Sequence, residues 1–248
     1  MACSRTGNSK SLVRSLADAV GEVLKAQAES GKPLAIVLAG HNGSGKSTLW
    51  YKQLDPTIQI PLINADRMMM SILPEVSAGK KLPAWASAIR DSDTSWMQVA
   101  QKGVEAFVAQ AMTRKVPFAM ETVFSHWIEH PGGRIESKIE LIEQMQQAGY
   151  FVILFFVGLS NSQLSIARVS TRVQQGGHAV DADKLVKRFP RTQKAIGRAT
   201  RIADAALLLD NSRDFEEAFT VCRVQRGPDA LFDLRDAQGR AHRNLILA

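Results

Sequence analysis

Residues Gly40 to Ser47 read Gly-His-Asn-Gly-Ser-Gly-Lys-Ser, the pattern G-x-x-x-x-G-K-[ST], directly after the apolar run Pro33 to Ala39 (PLAIVLA). A strand, a glycine-rich turn and a helix in that order leave few options. The glycines permit a tight loop whose backbone N–H groups point inward at phosphate oxygens, and the helix start adds partial positive charge. Gly40, His41, Asn42, Gly43, Ser44, Gly45, Lys46, Ser47 and Thr48 are therefore the candidate nucleotide contacts. Lys46 can reach the β and γ phosphates and the Ser47 hydroxyl can ligate Mg²⁺, so ATP and Mg²⁺ are the expected cofactors.

The rest of the chain alternates between the two hydrophobic periods. A helix is expected from Ser11 to about Ala28, a second strand over Thr57 to Ile63 with Pro61 placing it at an edge, and mainly helix from Pro74 to Arg114, interrupted near Pro83 and Asp91. A third strand follows at Val116 to Met120, then a helix beginning at Ile135, and the strongest strand signal, Tyr150 to Val157. Ser162 to Val173 and Ala182 to Arg201 read as helices, Ala205 to Leu209 as a fifth strand, and Phe219 to Leu247 as short strands with turns at Arg226-Gly227-Pro228 and Gln238-Gly239. Strands alternating with helices imply right-handed crossovers. The expected fold is α/β, a nucleotide-kinase-like P-loop NTPase with a parallel five-stranded core sheet flanked by helices. The divisions are an N-terminal tail and amphipathic helix (1–32), a kinase domain (33–215) with a helical acceptor-binding insertion (74–114) and a lid (162–192), and a short β extension (216–248).

Composition narrows the setting. The 248 residues are 45% hydrophobic and 22% charged, enough for an ordinary core. Two cysteines build no disulfide framework, and with no signal peptide or membrane-length apolar run the expectation is cytoplasmic, with no membrane partner. The net charge of +7 comes without basic runs; the cations concentrate between Arg168 and Arg201. The charge suits nucleic acid and a polyanionic small substrate equally. Its concentration there fits a local phosphate-handling surface better than a nucleic-acid tail, with a solvated helix face as the alternative; nucleic acid is not the expected partner.

Sites in parallel sheets lie beyond the carboxyl ends of the strands, which singles out acids there. Asp66 follows the second strand in Ile63-Asn64-Ala65-Asp66-Arg67, and Glu121 ends the third. Either carboxylate could accept the proton of an attacking hydroxyl or hold magnesium through water; Asp66 could also merely cap a helix, and Glu121 pair with an arginine. No Walker B acid ends the Tyr150 to Val157 strand, and Asp210, at the last strand, reads as a turn residue. Arg168 and Arg172 share a helix face, and Arg188 and Arg191 follow a flexible Gln175-Gly176-Gly177-His178 turn suited to a lid. Guanidinium clamps of this kind stabilise charge on a transferred phosphoryl group. His178 has no second ligand nearby and is not expected to bind metal.

Taken together, Leu38 to Thr48 (LAGHNGSGKST), Ile63 to Arg67 (INADR), Glu121 to His126 (ETVFSH), Gly149 to Asn161, Leu164 to Val180 and Arg188 to Thr192 (RFPRT) resemble the zeta toxin family of P-loop kinases, over roughly Pro33 to Ser212. The resemblance implies phosphorylation of a sugar hydroxyl, with a nucleotide sugar such as UDP-N-acetylglucosamine as acceptor and an antitoxin protein as a possible partner. It implies Lys46 as the phosphate-binding lysine, Asp66 as the base, Glu121 as a substrate-binding acid, and Arg168 and Arg172 as lid arginines; Asn64, Thr122, Arg188 and Arg191 are the further candidate acceptor contacts. The family's Glu-x-Thr becomes Glu121-Thr122-Val123 here, which displaces one sugar contact. The alternatives are a polynucleotide or RNA kinase, and a nucleotide-binding toxin–antitoxin module without transfer activity.

Overall fold

A computed structural model of the chain describes residues 14–75, 82–214 and 216–235. The start of the expected first helix, part of the 74–114 segment and the turn at Gln238-Gly239 lie outside the described residues.

Five parallel strands make the core: β1 (Leu34–Gly40), β2 (Leu62–Ile63), β3 (Phe118–Thr122), β6 (Phe151–Gly158) and β7 (Ala205–Asp210), in the order β2-β3-β1-β6-β7. Two antiparallel strands, β8 (Thr220–Arg226) and β9 (Asp229–Asp233), continue the same sheet to seven. Every residue of β1, β6 and β7 is buried, as their unbroken apolar sequences require of strands covered on both faces.

The two faces are packed separately. On one, Ile36 and Leu38 of β1 meet Val20, Val23 and Ala26 of α1 (Leu16–Ser30), together with Leu49, Trp50 and Leu54 from the helix that leaves the glycine-rich loop. That helix is α2 (Lys46–Leu49), a wider π turn (Trp50–Leu54) and α3 (Asp55–Ile58). On the other face, Ala35, Val37 and Ala39 meet Val104 and Val108 of α6 (Thr94–Arg114), Ile142 and Met145 of α7 (Ile139–Gln147), and Ala195 and Ile196 of α9 (Ala182–Ala199). Short helices α4 (Ala65–Ser71) and α5 (Ala84–Asp91) lie between β2 and α6, and α8 (Ser162–Gln174) follows β6.

Two expected elements differ. Thr57 to Ile63 is not one strand: Asp55-Pro56 starts a helical turn, with proline in its first positions where no N–H is needed, and Gln59 at φ 51° ends it. Only Leu62–Ile63 is left to pair, at the sheet edge beside Pro61. The helix expected from Ile135 starts instead at Ile139, because Ile135–Ser137 (β5) pairs with Trp127–Glu129 (β4) across a turn in which Gly132 and Gly133 both have positive φ.

Tyr150, fully buried ahead of β6, ties the sheet to the end of α6: its hydroxyl lies 2.7 Å from the Ala111 carbonyl and 2.9 Å from that of Val116. Tyr150→Phe keeps the ring and removes both hydrogen bonds, leaving the Ala111 carbonyl its backbone donor Val116, so unfolding in urea should show a loss of about 1–2 kcal/mol. An unchanged midpoint would show that the hydroxyl contributes nothing.

Candidate active site

Because β1, β2, β3, β6 and β7 run parallel, their carboxyl ends converge on one edge of the sheet. The glycine-rich loop leaves β1 there. Gly40 is forced by crowding: a Cβ would sit 2.5 Å from the Val157 carbonyl of neighbouring β6. Gly45, at φ 92°, combines a left-handed backbone with a Cβ that would meet Asn211 Nδ2 at 2.7 Å. Asn211 itself, just past β7, donates to the Ser44 carbonyl at 2.8 Å, and Ser165 of α8 donates to the Asn42 carbonyl at 2.7 Å. The loop is thus pinned from both sides and closes on itself through the Ser44 N–H, which donates to the His41 carbonyl at 3.1 Å, while the buried Ser44 hydroxyl has no partner among the described residues; the residues present fit a bound triphosphate.

His41 turns inward. Its ring stacks on Phe189 of α9 at 4.0 Å between centroids and meets Phe156 edge-on, while Nδ1 accepts the Leu159 N–H at 3.3 Å. Burial, and then the Lys46 charge, push the imidazole pKa down to about 3, so the ring is neutral with its proton on Nε2. His41 is therefore a packing hinge between the loop and α9.

Lys46 is buried, and its ammonium donates to the carbonyls of Gly40 and His41, both at 3.1 Å. Its third neighbour is Glu121 at the end of β3, with Nζ to Oε1 at 3.7 Å. Burial lowers the Lys46 pKa, against the pull of Glu121 and Asp66. Glu121 also accepts from the Ser47 hydroxyl at 3.1 Å and from Asn64 Nδ2 at 2.7 Å. Asn64 is at the same time the N-cap of α4, where its Oδ1 accepts the Arg67 N–H. One carboxylate thereby joins the lysine, the hydroxyl and the helix start expected to surround the phosphates.

Asp66 stands in the first turn of α4, exposed, and makes no hydrogen bond or ion pair with any described residue. The helix cap is Asn64, which leaves the Asp66 carboxylate unengaged. Its charge is felt at Lys46 and at Arg188, whose own pKa burial lowers. Lys138, which sequence reasoning missed, sits close enough to Arg188 for the two cations to repel. No local pattern marks it, since it reaches the site only through the β4–β5 hairpin.

On the opposite wall, Arg168 packs its Cβ close to Gly43, and Arg172, one turn on, lies near enough to Lys46 to depress its pKa. Arg191 is exposed on α9 without a described partner, and Thr122 points elsewhere: its hydroxyl accepts the Phe124 N–H at 3.1 Å. Phe124, buried at φ 60°, holds a backbone conformation costly for an aromatic residue, so the turn after Glu121 stores strain next to the site. Asn211 was also missed, although its position past β7 obeys the strand-end rule that found Glu121. Among the described residues, no cluster of His, Cys, Asp or Glu suits a metal ion without added ligands, and no helix is long and apolar enough to cross a membrane.

Comparison with known proteins places this geometry. The family model described as zeta toxin matches residues 17–220. A protein of Haemophilus influenzae (strain ATCC 51907 / DSM 11121 / KW20 / Rd) with no assigned function is 28% identical over 155 residues, 62% of this chain and 91% of its own length. Among solved structures, a chain of the PezAT chromosomal toxin–antitoxin system of Streptococcus pneumoniae superposes with a TM-score of 0.51 at 14% identity, over 93% of this chain and 86% of that one. The AvrRxo1-ORF1:AvrRxo1-ORF2 complex with sulphate ions gives 0.57 at 12% identity, over 90% and 71%, and its ATP-containing form 0.55 at 13%, over 90% and 70%. At these identities the structures share the fold.

The buried neutral imidazole has a pH signature. With a folded pKa near 3 and an unfolded value of 6.5, protons bind the unfolded chain preferentially as pH falls below 6.5, so stability present above that pH is lost on acidification. The share from His41 reaches about 2 kcal/mol at pH 5. In urea titrations the stability gap between wild type and His41→Gln should shrink by about that amount between pH 7 and pH 5. A gap constant with pH would mean that the imidazole is not held neutral.

Proposed function

The chain belongs to the zeta toxin family and is an ATP-dependent kinase, and we propose that it moves the γ-phosphoryl group of ATP onto a hydroxyl of a nucleotide sugar, UDP-N-acetylglucosamine being the leading candidate. The observation that carries this reading is the exposed Asp66 carboxylate, which engages no described residue and lies within electrostatic reach of both Lys46 and Arg188.

In this scheme Asp66 takes the proton of the acceptor hydroxyl. The oxygen bonds to the γ-phosphorus, the bond to the β–γ bridging oxygen breaks, ADP leaves, and Asp66 returns its proton to solvent. Lys46 exchanges the carbonyls of Gly40 and His41 for phosphate oxygens, and Arg168 and Arg172 balance the charge that spreads over the transferring group. Ser47 and Glu121 are the residues that would hold magnesium, which when bound neutralises the phosphates and orients them. Asn64 keeps Glu121 aimed at that position. Arg188, with Arg191 further out, would take the anionic part of the acceptor. The 74–114 segment forms the acceptor side and 162–192 the lid. An antitoxin partner belongs to the same proposal, by analogy with the toxin–antitoxin system to which the pneumococcal neighbour belongs.

Labelled ATP supplied with an untargeted metabolite extract and with RNA oligonucleotides tests the scheme. A single phosphate should appear on a nucleotide sugar, and Asp66→Asn should slow its appearance by about 10²–10⁴-fold while ATP affinity stays within about threefold. Label on RNA ends would replace the acceptor class; label on nothing, with slow ATP hydrolysis only, would overturn transfer.

A further inference from the structure

The lid turn is fastened to the acceptor-side insertion. At the end of α5, Arg90 and Asp91 form a bidentate pair, Nε to Oδ1 at 2.8 Å and Nη2 to Oδ2 at 2.7 Å. The third guanidinium nitrogen, Nη1, donates to the Gly176 carbonyl at 2.7 Å, and His178 Nδ1 meets Asp91 Oδ1 at 3.3 Å. A backbone hydrogen bond from Ala179 reaches the same carboxylate. Although it sits on a peripheral helix, the Arg90 side chain is only 14% exposed.

The turn that these residues hold is also the one that holds Arg172. Arg172 Nη2 donates to the His178 carbonyl at 2.8 Å, and the Gly177 N–H returns a bond to the Arg172 carbonyl at 2.9 Å. Gly177 lies so close that a Cβ would come within 2.5 Å of Arg172 Cγ. Arg172 Nε is buried without a partner, so the side chain is oriented by the turn alone at that end. A continuous polar path therefore runs from α5 through residues 176–179 to the guanidinium whose charge reaches Lys46.

We propose that Arg90 and Asp91 are positioning residues that set Arg172 for the phosphates, and so couple the seating of the acceptor-side helix to nucleotide binding. The proposal rests on the reading of Arg172 as a phosphate clamp. Its physical basis is that a bidentate arginine–aspartate fork is rigid, and three polar contacts transmit that rigidity to the turn. With α5 displaced, the turn loses them together and Arg172 loses its only described hydrogen-bond acceptor, the His178 carbonyl.

Binding of AMP-PNP, measured by calorimetry on the full chain with magnesium in the buffer, tests this without knowledge of the acceptor. Arg90→Ala should weaken binding by about tenfold although Arg90 has no place in the phosphate loop, and Asp91→Asn should do so to a smaller degree. Arg172→Lys should weaken it comparably, and the Arg90→Ala/Arg172→Lys double variant no further than the weaker single one. Hydrogen exchange across residues 175–180 should rise in Arg90→Ala while the core strands stay protected, which separates a freed turn from a misfolded chain. Losses that multiply in the double variant, or unchanged exchange across the turn, would overturn the proposal. If Arg172→Lys binds normally, the clamp reading itself fails and the positioning role with it. If Arg172→Lys is weakened but Arg90→Ala is not, only the coupling fails.

Discussion

Everything at the strand ends depends on one carboxylate meeting one buried ammonium. Glu121 and Lys46 lie 3.7 Å apart in a pocket where neither can be solvated freely, and each is satisfied by further contacts: two loop carbonyls for the lysine, Ser47 and Asn64 for the glutamate. An unpaired charge at that depth is expensive, whereas a paired and hydrogen-bonded one fixes geometry. The pair locks β3 to the loop that leaves β1, its neighbour in the sheet, and through Asn64 it fixes the start of α4. That in turn sets where Asp66 stands.

The scaffold makes such a pair possible because it is packed on both faces before any polar group is considered. Alternate residues of β1 serve two separate cores, so the strand cannot shift register without exposing both. The loop following it is then placed by crowding against Val157 and by the Asn211 and Ser165 hydrogen bonds rather than by its own sequence. Two aromatic residues beside the site hold left-handed backbones, Phe124 at φ 60° in the turn that follows Glu121 and Phe219 at φ 58° next to Gly45. His41 carries the loop's position across to α9 through its stack on Phe189, the residue next to Arg188.

The parts of this arrangement that were legible in the sequence are those set by local chemistry. The glycine spacing, the unbroken apolar strands and the acids that end them each follow from neighbours a few residues apart, and the parallel topology then gathers them. Thr57 to Ile63 misled because its alternation competes with a proline-initiated helical turn, and Ile135 because its apolar spacing matches helix and hairpin alike until Trp127 to Glu129 pairs with it. Lys138 and Arg90 carry no pattern at all: each matters through a partner far away in the chain. Thr122 sits beside Glu121 in the sequence, yet strand alternation sends its side chain to the opposite face. That Asp66 is free, and that Asn64 does the capping, could be told only once α4 had a defined first residue.

A carboxylate beside the phosphate loop repels a bare triphosphate and accepts one that arrives with a divalent cation, so the role given to Glu121 has a direct signature. The decisive measurement is AMP-PNP affinity with magnesium and with EDTA, for wild type and Glu121→Gln. If Glu121 and Ser47 hold magnesium against the triphosphate, removing the cation weakens binding to wild type by more than about tenfold and to Glu121→Gln far less. Equal dependence on magnesium in the two proteins would contradict it, leaving Glu121 as a structural partner of Lys46 alone.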